Sequence, residues 1–191
     1  MNVIFLDIDG VMNSEVFYCE RYKKRWKKFE TYKWLLTSKV NYALNGFKPK
    51  IYSFANFKIN PNVWEFDYVF KRLKEETDPL KWKWLSDFCN INNYKICISS
   101  VWKNHFKDIN QWNDALIKLG FNNDIFVGIT CNKKTIRGEE IKDWIDNNNV
   151  ESYAIIDVLY DQMKSFFYVD SYYGLTPNIL YRIHKHFNKQ L

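Results

Sequence analysis

The sequence lacks several features that mark special classes of protein. No apolar run within its 191 residues approaches the ~20 residues that a membrane-spanning helix needs. No basic segment followed by an apolar stretch and a small-residue cleavage site stands at its beginning, as in a secretory signal. Internal repeats and low-complexity tracts are also absent. We therefore expect a soluble, intracellular protein of the cytoplasm that has no membrane partner.

Cysteine is scarce and is not paired. Four cysteines occur far apart, at Cys19, Cys89, Cys97 and Cys131, and no C-x-x-C motif is present. This spacing argues against both a disulfide framework and a zinc ribbon. Hydrophobic residues make up 47% of the chain, which is enough for a core that apolar packing alone holds together.

Basic residues outnumber acidic residues, and the formal net charge is +6. Part of the excess lies in "RYKKRWKK" (residues 21–28), where aromatic side chains alternate with cations. Cations suit phosphates and flat rings suit bases, so this stretch is typical of a nucleic-acid or nucleotide contact. The alternative is an amphipathic helix whose aromatic side chains pack on the core. The candidate substrate-contacting residues are Arg21, Lys23, Lys24, Arg25 and Trp26.

The pattern of apolar residues predicts strands that alternate with helices. Short apolar runs predict strands at residues 3–7 and in "YKICISS", "DIFVGIT", "SYAIID" and "SFFYVD". Helical spacing occurs in "VWEFDYVFKRLKEE", "PLKWKWLSDFCNI", "INQWNDALIKLG", "RGEEIKDWIDNN" and "TPNILYRIHKHFNK". The alternation predicts an α/β fold with a doubly wound, mainly parallel, Rossmann-like sheet.

Polar side chains follow three of the predicted strands. They are Asp7, Asp9 and Gly10 after the first, Ser99 and Ser100 after the second, and Asp157 and Asp161 after a later one. Ligands of such sheets bind at the carboxyl ends of the strands, so we expect these residues to converge on one site. An EF-hand loop is a poor alternative for "DIDG", because a helix-like run follows it. A strand-end turn or a helix cap is the alternative for Asp7 taken alone.

Three of these stretches, "FLDIDGV", "ICISSVWK" and "IIDVLYD", resemble the first, second and fourth motifs of the haloacid-dehalogenase (HAD) superfamily of phosphohydrolases. "SSVWK", "VGIT", "RGEEIKDWI", "YAIID" and "VDSYYGLT" are similar to the HAD domains associated with RNA-repair (Swiss army knife) proteins. The resemblance covers the first strand and the chain from about Pro79 onward. It implies a HAD-like catalytic core made of residues 1–13 and 79–191, with residues 14–78 as a cap insertion after the first strand.

The resemblance also implies roles for the two aspartates of the first motif. Asp7 would be the nucleophile that forms an aspartyl-phosphate, and Asp9 would be the general acid and then the general base. Gly10 would permit the turn and a close approach of the backbone to phosphate. Mg²⁺ would be the cofactor, held by oxygens of Asp7, Asp9 and Asp157, with Asp161 as a further candidate.

Phosphate binding is implied for the second and third motifs. Ser99 would donate a hydrogen bond to the transferring phosphoryl group, and Ser100 is the other candidate. The transition state also needs a cation, for which Arg137 is our first candidate and Lys133 and Lys134 are alternatives. The fourth motif departs from its relatives, whose adjacent aspartates are replaced in "DVLYDQM". This change implies weaker metal binding.

Three hypotheses for the function follow. The first is a magnesium-dependent phosphatase that acts on a phosphate at an RNA or DNA end, as a polynucleotide 3′- or 5′-phosphatase. The second is the same chemistry on a nucleotide or another small phosphoester. The third is a catalytically impaired HAD-fold binding or accessory protein, suggested by the altered fourth motif. The sequence makes no prediction of the oligomeric state.

Overall fold

The structure is a computed structural model, and it describes residues 1–25, 66–105, 108–120, 125–131, 136–159 and 163–189. The chain divides into two compact units, residues 1–17 with 64–191, and residues 18–63. The sheet and the candidate site belong to the first of these. The predicted cap boundaries, 14 and 78, stay a prediction.

Five strands form one parallel sheet in the order β3-β2-β1-β4-β5. The strands are β1 (Asn2–Leu6), β2 (Lys95–Ile98), β3 (Phe126–Ile129), β4 (Ser152–Asp157) and β5 (Phe166–Tyr168). From the central strand β1 the chain builds one half of the sheet through β2 and β3, and then builds the other half through β4 and β5. The order therefore reverses beside β1, where ligands of doubly wound sheets bind. The predicted α/β class with a parallel sheet is confirmed.

Within the described ranges, six α-helices and one 3₁₀ helix accompany the sheet. They are α1 (Glu15–Arg25), α2 (Phe66–Glu76), α3 (Pro79–Asn92), the 3₁₀ helix (Val101–His105), α4 (Ile109–Lys118), α5 (Arg137–Asp146) and α6 (Pro177–Asn188). Asp78 caps α3 by accepting a hydrogen bond from the backbone N–H of Leu80, and Pro79 stands in its first turn. Among these described helices, none combines the length and the apolar character that crossing a bilayer requires.

The two faces of the sheet bury separate apolar clusters, because successive side chains of a strand point to opposite faces. Ile4 and Leu6 of β1 contribute to the larger cluster, together with side chains of α3, α4 and α6. Val3 and Phe5 contribute to the smaller cluster, where Ile141 of α5 is also buried. Helix α5 therefore covers the face that the odd-numbered residues of β1 share. This face is the one that matters for the site.

Candidate active site

Three of the predicted site residues lie on the face of the sheet that α5 covers, because side chains alternate between the two faces along a strand. Phe5, Cys97 and Ile155 all belong to the cluster on that face. Two residues further along the chain from these come Asp7, Ser99 and Asp157, respectively. They therefore point to the same face of the sheet, and all three are buried. The ladder of parallel hydrogen bonds continues through them, since Asp7 N–H donates to Ile156 and Ser99 N–H donates to Leu6. The sheet thus aligns the ends of β1, β2 and β4 at one edge.

Arg137 is the cation that the structure places at these strand ends. It is the first residue of α5, and its Nη1 atom lies 3.2 Å from Oδ2 of Asp7. The same nitrogen donates a hydrogen bond to Oδ2 of Asp157. Burial alone would lower the pKa of Arg137, but the two carboxylates raise it above its ordinary value. The guanidinium is therefore a fixed positive charge between two aspartates.

Asp7 has an electrostatic environment unlike that of a surface carboxylate. Burial raises the pKa of Asp7 from 3.8 to about 6. The neighbouring Arg137 opposes this rise, the Asp157 carboxylate adds to it, and a hydrogen bond from the Ser100 side chain opposes it. The Oδ1 atom is buried and accepts no hydrogen bond from the described residues. A buried carboxylate oxygen without a donor is open to a cation or to a bond with an electrophile.

Ser99 and Ser100 differ in what their hydroxyl groups do. The Ser100 side chain lowers the pKa of Asp7, and its Oγ atom accepts a weak bond of 3.4 Å from the N–H of Trp102. The Oγ atom of Ser99 is buried and has no hydrogen-bond partner within the described residues. An unused hydroxyl at a strand end beside Asp7 is what a phosphoryl-binding serine requires. The geometry supports the preference for Ser99 as the phosphoryl donor, and that role stays a prediction.

Asp157 is the last residue of β4, and each of its two carboxylate oxygens accepts a hydrogen bond. Its Oδ1 atom accepts a hydrogen bond of 2.9 Å from the backbone N–H of Leu159, and its Oδ2 atom faces Arg137. Val158, the next residue along the chain, packs against the main apolar cluster. The described part of the fourth motif therefore supplies a single carboxylate to the site.

Asp9 is exposed, unlike Asp7, and is held by side chains rather than by burial. Its Oδ1 atom accepts 2.8 Å hydrogen bonds from Nε1 of Trp102 and from Nδ2 of Asn13. Asn13 also accepts a 2.7 Å hydrogen bond from the backbone N–H of Gly10, which ties the loop to itself. The sequence pattern did not single out Trp102 or Asn13. The position of the tryptophan two residues after Ser100, in "SSVWK", was the available signal.

Gly10 makes the turn that the first motif requires. Its φ angle is +75°, a conformation that side chains with a Cβ atom rarely adopt. A Cβ atom at this position would lie 2.7 Å from Cγ1 of Val158 and 3.1 Å from Cβ of Ser171. The loop after β1 therefore packs directly on the segments that follow β4 and β5. Glycine is required here for both reasons.

A buried ion pair under the site was also not predicted. Nζ of Lys103 lies 2.5 Å from Oε2 of Glu140 and donates 3.0 Å hydrogen bonds to Oγ1 of Thr130 and to the carbonyl of Cys131. Lys103 belongs to the 3₁₀ helix after β2, and Glu140 belongs to the first turn of α5. The pair therefore links the segment after the serines to the helix that begins with Arg137.

The chemistry of the site suits a hard divalent cation such as Mg²⁺. Asp7 and Asp157 supply two carboxylates at adjacent strand ends, and Oδ1 of Asp7 is open to a ligand. Within the described ranges, no three His, Cys, Asp or Glu side chains form a group that could hold a metal. Mg²⁺ is commonly bound by only one or two carboxylates, with water and substrate phosphate completing its octahedron. The residues present therefore fit this ion.

Several predicted residues cannot be placed in the site. Lys133, Lys134, Asp161 and Trp26 lie outside the residues that the structure describes. Arg21, Lys23, Lys24 and Arg25 belong to helix α1, and the structure gives no side-chain description for the last three. Their proposed contacts with substrate stay predictions. Of the three candidates for the phosphate-binding cation of the third motif, the structure describes only Arg137.

Comparison with known proteins identifies the family to which the chain belongs. A family model described as the HAD domain in Swiss Army Knife RNA repair proteins matches residues 3–179, which is nearly the whole chain. The match runs from β1 into α6 and includes every residue placed at the strand ends above. No curated protein and no solved structure matches the chain. The family resemblance read from the sequence motifs is confirmed.

Proposed function

The chain belongs to the family of HAD domains in Swiss Army Knife RNA repair proteins, and from this membership we propose a magnesium-dependent phosphatase acting on nucleic-acid ends. Membership in a HAD family indicates a phosphohydrolase. The metal, the substrate and the end that is cleaved are our proposal. The observation that carries it is the buried Asp7 carboxylate, which has one oxygen without a partner among the described residues and a guanidinium beside the other.

Asp7 supplies the nucleophile of the proposed reaction. An oxygen of its carboxylate attacks phosphorus, and the bond between phosphorus and the leaving oxygen breaks as the new bond forms. Asp9 gives its proton to the leaving oxygen, which departs as the alcohol. Asp9, now ionised, takes a proton from water as that water attacks the aspartyl-phosphate. Asp7 is then free again and inorganic phosphate leaves.

Arg137 and Ser99 stabilise the charge that develops on the phosphoryl oxygens. The guanidinium is held in place by Asp7 and Asp157, so it needs little reorganisation when the substrate arrives. The free Oγ atom of Ser99 can donate to a phosphoryl oxygen on the same side of the sheet. When bound to Asp7 and Asp157, Mg²⁺ would shield the nucleophile from the negative charge of the substrate.

The nucleic-acid end is supported by the composition of the chain and by the family name. A net charge of +6 favours a polyanionic substrate, and the family model describes domains of RNA repair proteins. A small phosphoester would use the same strand-end residues but would not need the basic segment at residues 21–28. The substrate class is therefore separable from the chemistry by experiment.

The decisive experiment is a phosphatase assay with Mg²⁺ on 3′- and 5′-phosphorylated oligonucleotides and on mononucleotides. Asp7→Asn should abolish turnover while the melting temperature is kept. The matched control is Asp87→Asn on α3, whose carboxylate is exposed and pairs only with Lys83 among the described residues. Undiminished turnover by Asp7→Asn would refute the mechanism. Oligonucleotide binding without turnover in the wild type would instead favour an accessory protein.

The substrate class is tested by neutralising Lys23, Lys24 and Arg25 to glutamine. If the substrate is a nucleic-acid end, KM for the oligonucleotide should rise and its dependence on salt should weaken. Turnover of a mononucleotide should change little. An equal effect on both substrates, or no effect on either, would argue for the small phosphoester.

A further inference from the structure

Trp102 and Asn13 donate to the same oxygen of Asp9. The indole Nε1 atom and the amide Nδ2 atom each lie 2.8 Å from Oδ1. The Asp9 side chain accepts no other hydrogen bond from the described residues, so its Oδ2 atom is left without a donor among them. Because Asp9 is exposed, packing alone would not fix the rotation of its carboxylate. The two N–H donors therefore decide which oxygen faces outward.

Trp102 is itself held in place by its surroundings. A donor can orient another side chain only if its own position is fixed. Its side chain is only 3% exposed, and it lies in the 3₁₀ helix that follows Ser100. The guanidinium of Arg72 lies 4.8 Å from the centre of the indole ring. Glu76 in turn binds Arg72 through two hydrogen bonds, of 2.9 and 2.7 Å. Helix α2 thus supports the face of the indole whose edge donates to Asp9.

We propose that Trp102, acting with Asn13, is a positioning residue that orients Asp9 for proton transfer. An oxygen that already accepts two N–H bonds is poorly placed to carry a proton, which leaves Oδ2 as the oxygen that can donate one. In the first step the O–H bond at Oδ2 breaks, and the proton passes to the leaving oxygen as its bond to phosphorus breaks. The negative charge left on Asp9 is stabilised by the two donors at Oδ1. This inference rests on the proposed function.

The dependence of the rate on the leaving group tests this role. p-Nitrophenyl phosphate and phenyl phosphate are nearly equal in size, but the nitrophenolate departs readily without a proton and the phenolate does not. In Trp102→Phe, kcat/KM for phenyl phosphate should fall by roughly 10-fold or more, and kcat/KM for p-nitrophenyl phosphate by less than about 3-fold. We choose kcat/KM because it reports the step that expels the leaving group. Asp9→Asn should show the same pattern with a larger loss.

The matched control is Trp82→Phe. Trp82 is also buried, and its Nε1 atom also donates a 2.8 Å hydrogen bond, but to Thr77. This variant loses an indole donor and keeps the contacts of Asp9, so the ratio of the two kcat/KM values should stay at the wild-type value. If Trp102→Phe does not fold, Asn13→Ala removes the second donor to the same oxygen and should show the same dependence on the leaving group.

The possible outcomes separate this inference from the function on which it rests. An equal loss with both aryl phosphates, or no loss with either, would overturn the positioning role and leave the phosphatase intact. If the wild type hydrolyses neither aryl phosphate nor a phosphorylated oligonucleotide, both proposals fall. A loss confined to phenyl phosphate, absent in Trp82→Phe, supports the role.

Discussion

One nitrogen of Arg137 bridges Asp7 and Asp157, which stand at the ends of adjacent strands. Its Nη1 atom lies 3.2 Å from Oδ2 of Asp7 and donates to Oδ2 of Asp157. Both carboxylates are at least 95% buried, so without a cation each would raise the cost of ionising the other. The guanidinium thus keeps a nucleophile ionised in a place where burial disfavours its charge.

Replacing Arg137 with methionine should therefore reduce both stability and activity. Two buried carboxylates would lose the cation between them, and the developing charge on the phosphoryl group would lose a stabilising partner. We expect kcat to fall by roughly 100-fold or more and the melting temperature of the metal-free protein to fall. Arg137→Lys keeps the charge and should lose less of both.

The control is Arg182→Met, which removes an exposed arginine of α6 whose guanidinium lies 5.7 Å from the ring centre of Phe167. It should leave kcat near the wild-type value. Full activity in Arg137→Met would show that the bridging guanidinium has no part in catalysis and would reopen the case for Lys133 or Lys134.

Gly10→Ala should be far more costly than the same change at Gly120. Both glycines have a positive φ angle, +75° and +89°, so alanine strains the backbone at each. Of the two, the added Cβ atom meets a described neighbour at Gly10, Cγ1 of Val158 at 2.7 Å, whereas none of the described residues lies within 4 Å of it at Gly120. We expect losses in the free energy of unfolding of roughly 2–4 kcal/mol at Gly10 and about 1 kcal/mol at Gly120. Urea denaturation measures both, and equal losses would contradict the close packing.

The sequence predicted the strand ends well because their order follows from local patterns. Short apolar runs predicted β1, β2 and β4, and the rule that ligands bind at the carboxyl ends of parallel strands predicted that Asp7, Ser99 and Asp157 converge. Arg137 was chosen from its position at the start of a predicted helix, and the parallel crossover brings that helix to the same edge. Each of these steps needs only the period of the pattern and the handedness of the fold.

The partners of Asp9 and the pair beneath the site could not be predicted in this way. Trp102 lies 93 residues from Asp9, and which indole edge meets which oxygen depends on packing that no pattern encodes. Glu140 falls near the start of the predicted helix "RGEEIKDWIDNN", where acidic residues are common because this end of a helix is positive. In the structure it is buried and paired with Lys103, 37 residues away. Such pairs depend on tertiary packing.

The Lys103–Glu140 pair should be important for stability because both side chains are buried. Lys103 is 8% exposed and Glu140 is 7% exposed. Lys103→Met leaves the carboxylate buried without its cation and should lower the free energy of unfolding by roughly 3–5 kcal/mol. Adding Glu140→Gln should restore part of that loss, since the uncompensated charge is then gone.

The exposed pair Lys83–Asp87 provides the comparison, since its atoms approach to 2.6 Å but both side chains are more than half exposed. Lys83→Met should change stability by less than about 1 kcal/mol. If Lys103→Met cost no more than Lys83→Met, the buried pair would contribute nothing beyond its packing.

Lys81 should make stability depend on pH in the alkaline range. Its ammonium group is buried and donates a 2.5 Å hydrogen bond to Oγ of Ser14. It packs so closely on Gly174 that a Cβ atom added to that glycine would lie 2.3 Å from Nζ. Burial lowers the pKa of Lys81 below its ordinary value of 10.5, and the nearby Asp78 opposes this. The folded state therefore releases this proton at a lower pH than the unfolded state does.

The sign of the effect follows from proton binding in the two states. Below the folded pKa both states hold the proton, and the cost of burying the charge is fully present. Between that pKa and 10.5 the unfolded state binds more protons, so stability rises with pH. The free energy of unfolding of the wild type minus that of Lys81→Met should therefore increase from about pH 7 to about pH 10. The subtraction removes the titrations of other groups. A difference that stays constant with pH would show that burial does not disfavour the charge of Lys81.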